Sequence, residues 1–203
     1  MTIDKTAIRD AATVIVLRDR DSAPQVLMGQ RGAAAAFMPS KFVFPGGAVD
    51  AGDADVPLAR PLPGLCAERL REESGRDLSR VLPVTAIREL WEETGLVLGT
   101  QGAWPAPPGP DWVRYAETGH VPAAAGMQFI FRAITPPGRP RRFDARFFLV
   151  DAADIRGDPD DFSGASDELS HLQWVPLARA RALDLPFITE VVLAEVAARL
   201  HEH

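Results

Sequence analysis

Apolar positions along this chain fall into two rhythms, one of strands and one of helices. Residues 11–18, AATVIVLR, are β-branched and apolar; the polar stretch DRDSAP then leads into QVLMGQR, and together they predict a β-hairpin. KFVFPGG at 41–47 predicts another short strand, ended by Pro45 and two glycines that let the backbone turn sharply. Residues 51–63, with Asp, Gly and Pro, read as loop. Residues 64–75 and 83–94 carry helical spacing, and each is closed by a glycine, Gly75 or Gly95. WPAPPGPDW at 104–112 is a proline-rich excursion before a short helix at about 113–119. MQFIFRAIT and RFFLVDA predict strands paired around PPGRPRR, HLQWVPL predicts one more strand, and ITEVVLAEVAARL a terminal amphipathic helix. Strands and helices mix without strict βαβ alternation, which favours an α+β or sandwich architecture over a doubly wound sheet.

The helix at 83–94 has an unusual polar face. At helical spacing Val84, Ile87, Leu90 and Trp91 gather on one side, and Glu89, Glu92 and Glu93 on the other. Like charges three and four residues apart repel by about a few tenths of a kcal/mol per pair. Arg88 reaches Glu92 one turn on, but one arginine does not neutralise three acids. A divalent cation does, and oxygen ligands point to Mg²⁺ or Mn²⁺. A plain exposed acidic face accounts for the helix alone equally well.

An earlier segment, CAERLREESGRDL at 66–78, repeats much of the later one: Leu70, Glu72, Glu73 and Gly75 align with Leu90, Glu92, Glu93 and Gly95. Its charges cancel internally, Glu68 with Arg71 and Arg69 with Glu72 or Glu73, so it reads as a solvated helix.

Composition narrows the picture. A chain of 203 residues suits a single domain, 1–203, with an ample core. It holds no run of 18 apolar residues, which argues against a membrane partner. The N-terminal stretch MTIDKTAIRDAATVIVL places an acid and a base before its apolar run and reads as a strand rather than a signal sequence. A lone cysteine, Cys66, excludes an internal disulfide and fits a cytoplasmic location. The net charge of −6 argues against nucleic acid as a partner.

REL-x-EE-x-GL, from Arg88 to Leu96, resembles the second half of the Nudix box, the signature of hydrolases that split nucleoside diphosphates linked to another moiety. FPGGAVDAGD resembles the first half, with Gly47 followed after five residues by an acid. The acid is Asp53 rather than Glu, and residues 54–87 separate it from Arg88 where the box has a short spacer. The segment at about 54–82 thus reads as an insertion within the box. An interrupted box is similar to that of the peroxisomal coenzyme A diphosphatases, and TPPGRPRRFDARFFL at 135–149 resembles that branch as well.

The resemblance implies an α/β/α sandwich around a mixed sheet, with a helical insertion, and Mg²⁺- or Mn²⁺-dependent cleavage of a pyrophosphate bond. The implied partner is a small nucleotide, coenzyme A or a relative; the assembly, monomer or homodimer, is open. The implied metal ligands are the Gly47 backbone carbonyl with Glu89, Glu92 and Glu93. Arg88 holds the carboxylates, and Glu89 either joins the metal set or orients water. Glu168, six residues before Trp174, is the candidate general base or an extra ligand, with Glu89 as the alternative base. Arg31 and Arg142 are candidate phosphate contacts, since arginine's planar fork suits phosphate oxygens. Phe37, Phe143 and Trp104 serve equally as base-stacking residues or core. A catalytically silent nucleotide sensor is the alternative. Intact Arg88, Glu89, Glu92 and Glu93 weigh against it, as does the single helix after the last strand, too little for a DNA-binding appendage.

Overall fold

Strand β1 (Ile8–Arg18) is buried on both faces, which is why its sequence is an unbroken apolar run rather than an alternation. Val14 and Val16 point into one core and Ile15 and Leu17 into the other, as the two-residue period of a strand requires. The computed structural model that shows this describes residues 7–35, 38–74, 76–139 and 141–200. After β1 come β2 (Gln25–Arg31), β3 (Phe42–Val43) and β4 (Gly46–Ala48), then a 3₁₀ turn at Ala51–Asp55. Next are α1 (Gly64–Ser74), α2 (Val81–Thr94), β5 (Val97–Gln101), α3 (Val113–Glu117), β6 (His120–Pro122) and β7 (Gln128–Ile134). The chain continues through β8 (Arg142–Asp151), β9 (Ile155–Arg156) and β10 (Leu169–Pro176) to α4 (Leu177–Ala180) and α5 (Phe187–Leu200).

The main sheet runs β10-β2-β1-β8-β7, with β3 against β2 and β4 against β1. Among the described strands of this sheet only β1 and β8 pair in parallel, so the sheet is mixed. One face packs on α2 through Leu82, Val84, Ile87 and Leu90. The other packs on α5 through Val192, Leu193 and Val196. This is the α/β/α sandwich expected. A smaller sheet, β6-β5-β9, was not foreseen, and neither was β4. Among the described residues no helix is long and apolar enough to cross a membrane.

The segment between Asp53 and α2 is packed rather than looped out. Val56, Leu62, Leu70 and Leu78 all enter the core that α2 builds. Its ends lie together: Arg80 Nη2 donates to the Val56 carbonyl at 2.7 Å. Two arginines of α1 have partners outside the helix. Arg69 donates to the Phe129 carbonyl at 3.2 Å and sits over that ring, and Arg71 stands 3.9 Å from Asp77. An exposed pair one turn apart is worth little, and an aromatic ring face with a carbonyl beside it offers a guanidinium more. Gly75 and the Glu73 side chain lie outside the described residues.

Candidate active site

Helix α2 carries Pro83 in its first turn, where the missing N–H costs nothing, and ends at Gly95, whose φ of 76° closes the last turn with an N–H bond to the Trp91 carbonyl. Its apolar side seats it on the sheet. Its acidic side, expected opposite, is covered as well: Arg88, Glu89 and Glu93 are 4%, 8% and 1% exposed. The cover is β4, pinned to β1 through Ala12↔Gly47 and Thr13↔Gly46. Glycine is needed here because a Cβ at Gly47 would run into the Glu89 carboxylate, and one at Gly46 would stand 2.6 Å from the Ala12 carbonyl oxygen.

Arg88 spends its whole fork on this cover. Nε and Nη2 donate to the two carboxylate oxygens of Asp53 at 2.8 and 3.1 Å. Nη2 also donates to the Ala48 carbonyl at 3.0 Å, and Nη1 donates to Glu89 at 2.9 Å and to Glu92 at 3.1 Å. Asp53 is 1% exposed and accepts further bonds from Thr85 Oγ1 and the Asp50 N–H. Burial works against the guanidinium charge, but the bond to Asp53 and the charges of Glu89 and Glu92 hold its pKa above the ordinary value.

The carboxylates beside it are in the opposite condition. Burial pushes Glu93 up to about 8, helped by the charge of Glu89; Arg31 and a 2.8 Å bond from the Gly46 N–H only partly offset it. Burial likewise takes Glu89 to about 7 against the pull of Arg88. Half-buried Glu92 is raised too, first by burial, and Asp111 and Glu168 add to the effect. Glu168 stands in the exposed loop before β10, and its charge adds a little to the raised values of all three glutamates. That loop is docked on the end of α2. The Ser166 N–H donates to the Glu92 carbonyl at 2.9 Å, and Gly164 lies so close to Gly95 that a Cβ on the latter would stand 2.9 Å from it.

As the side chains stand, Glu89 and Glu92 turn to one guanidinium nitrogen and Glu93 to Gly46. Among the described residues no three acidic, histidine or cysteine side chains are gathered as ready-made metal ligands. The donor chemistry nonetheless fits a hard divalent ion. Three carboxylates share one helical turn, and two of them are buried with their protonation raised, which marks a local deficit of positive charge.

The same architecture recurs among solved structures. A NUDIX hydrolase from Alicyclobacillus acidocaldarius matches 95% of this chain and 92% of its own, with a TM-score of 0.70 and 32% identity. The chain belongs to the Nudix hydrolase family. No family model matches it. Putative nudix hydrolase 7 of Caenorhabditis elegans is 28% identical over 82% of this chain and 51% of its own length. Acyl-coenzyme A diphosphatase NUDT19 of Gallus gallus is 30% identical over 62% of this chain and 47% of its own. The chain thus spans about half the length of these two curated relatives. A C. elegans Ap4A hydrolase, 17% identical with a TM-score of 0.54 over 97% of this chain and all of its own, shares the fold.

In this Nudix chain the structure brings together Arg88, Glu89, Glu92, Glu93, Gly47, Glu168 and Arg31, whose Nη2 reaches the Gly46 carbonyl at 3.4 Å. Arg142 stands apart, donating to the Thr135 carbonyl across the β7–β8 hairpin. Trp104 belongs to an aromatic cluster with Trp112 and Tyr115, its indole N–H on the His120 carbonyl. Phe143 is half-buried in β8, and Phe37 lies outside the described residues. The sequence reading assigned no role to Asp53 or Thr85. The signal was present: a buried arginine needs a planar, bidentate partner, and Asp53 was the acid already marked by the motif. Beside Asp53 a cleft of about 400 Å³ opens between Asp50–Pro57 and the proline-rich 104–112 stretch, with Arg80, Trp104 and Asp111 on its walls. A second cavity of about 370 Å³, between Arg69 and β7, shares no lining residue with the carboxylate cluster.

Proposed function

We propose that the chain hydrolyses the pyrophosphate bond of a nucleoside diphosphate linked to another moiety, coenzyme A or a related nucleotide, in a reaction that depends on Mg²⁺ or Mn²⁺. The observation that carries this reading is the Arg88 fork, which holds buried Asp53 and Glu89 together with half-buried Glu92, with Glu93 alongside. In this reading residues 54–82 are an insertion in the Nudix box, spanned by the Arg88–Asp53 pair.

Glu89, Glu92, Glu93 and the Gly47 carbonyl are the ligands of the cation. When bound, the cation supplies Lewis acidity to the pyrophosphate oxygens and to water, and offsets charge on the departing phosphate. Arg88, itself held by Asp53, keeps Glu89 and Glu92 in place by charge-assisted bonds. Glu168 takes the proton from the attacking water, and Arg31 steadies a phosphate oxygen. Arg142, placed at the hairpin, is a contact for the remoter part of a long substrate.

The test is product release from coenzyme A, ADP-ribose, NADH, dinucleoside polyphosphates and GDP-sugars, with Mg²⁺ or Mn²⁺ and with EDTA. Metal-dependent release of a nucleoside monophosphate-type product from any of them supports the proposal. Tight binding with no release under either metal would make the chain a silent nucleotide sensor instead.

A further inference from the structure

Strand β10 reaches the carboxylate cluster through an irregularity. Leu169 opposes Arg31 and Ser170 opposes Gln30, but the next pair is Gln173 with Met28. His171 and Leu172 therefore face the single Gly29, a bulge of two residues against one. His171 carries the bulge at φ 51°, a left-handed conformation that side chains seldom adopt. The bulge fits because position 29 has no side chain. A Cβ there would stand 2.9 Å from Leu169 Cβ and 2.9 Å from Leu172 Cδ2, closer than carbon atoms pack.

Leu169 is buried and follows Glu168 directly. The loop is thus tied on both sides of Glu168: two residues before it by Ser166 on the Glu92 carbonyl, and one residue after it by Leu169 against Gly29. The exposed Glu168 side chain inherits its place from these two anchors. Bulges are common at sheet edges, where they deter pairing with another chain, and beside active sites, where they re-aim a side chain. β10 is an edge strand, so both explanations compete here.

We infer that Gly29 is a positioning residue: the bulge it admits sets the reach of Glu168 toward the carboxylate cluster. The inference rests on the assignment of Glu168 as proton acceptor in the proposed hydrolysis.

The experiment is a double-mutant cycle. Gly29→Ala, which overpacks the bulge, and Leu172→Ala, which loosens it, are each made in the wild type and in Glu168→Gln. They are assayed on the fastest-cleaved member of the panel above. In the wild type each lowers kcat by at least about tenfold, as a misplacement near 1 Å does, with KM within about twofold. Mn²⁺ affinity, read by electron paramagnetic titration, stays within about twofold, and Leu172→Ala speeds hydrogen exchange in residues 166–172. In the Glu168→Gln background either change alters kcat by less than about twofold, since the group being aimed is gone. If Gly29→Ala does not fold, Leu172→Ala carries the same expectation. Wild-type kcat in both variants, or equal fractional losses in the two backgrounds, overturns the positioning role and leaves the base assignment standing; the edge-guard explanation then holds. A Glu168→Gln variant with full rate overturns the base assignment and the inference with it.

Discussion

Arg88 has no spare donor for a new partner unless an old one lets go, and Asp53 holds it most firmly, by two bonds. Taking one member from a buried ion pair leaves the other uncompensated, at a cost on the order of 3–5 kcal/mol. Asp53→Asn is therefore expected to lower the urea midpoint of unfolding markedly with little change in slope, and to lower kcat as Glu89 and Glu92 lose their anchor. An unchanged midpoint would show that the pair is not what holds Arg88. Glu93 and Glu89 set a second expectation. Both have folded pKa values raised above the ordinary carboxylate range, to about 8 and about 7. Their contribution to stability is therefore full at acid pH and is lost as pH rises through those values. In EDTA, Tm should fall between about pH 4.5, the unfolded carboxylate value, and about pH 8 and level off above it; Glu93→Gln, whose carbonyl still accepts from Gly46, should flatten that fall and abolish metal-dependent turnover. A metal-free Tm that climbs over this range would contradict the assignment. The sequence made these acids visible but not their burial, because β4 covers them from about 40 positions earlier in the chain.

At the scale of elements, two helices of similar wording do different work. α1 sits in the core by Leu70 and turns Arg69 onto Phe129, whereas α2 gives both its faces to the protein. Glu72→Gln should change kcat by less than about threefold, and Glu92→Gln should remove metal-dependent turnover; a hundredfold loss in the first would reverse the assignment of the two helices. The long strands and both long helices were legible because β-branched runs and helical spacing each report on burial. β5 was not. Its Val97–Leu98 run directly follows the α2 cap, contains Gly99, and pairs with strands of two and three residues far along the chain. β4 was hidden for a related reason: Gly46 and Gly47 are chosen for close approach to Ala12 and Glu89, not for strand propensity.

At the scale of the whole molecule, the sandwich has a core on each face of one sheet, and the segment between Asp53 and α2 belongs to one of them. A loop of this length can be accommodated because closure entropy grows slowly, but this one also contributes packing. Leu70→Ala should destabilise the protein by about 2–5 kcal/mol, seen in chemical denaturation, with kcat near the wild-type value. A cost near zero would mean that the segment could be cut out freely.

The sharing of one Arg88 nitrogen by Glu89 and Glu92 has a consequence for assembly. The guanidinium acts as a resident stand-in for a cation, so the acidic turn of α2 is held together before anything binds to it. Folding and loading are then separate events. Under the proposed function, a cation arriving here competes with an internal charge that is already in place, and its affinity would be the difference between two attachments rather than the strength of one. A site of that kind would exchange its cation without coming apart.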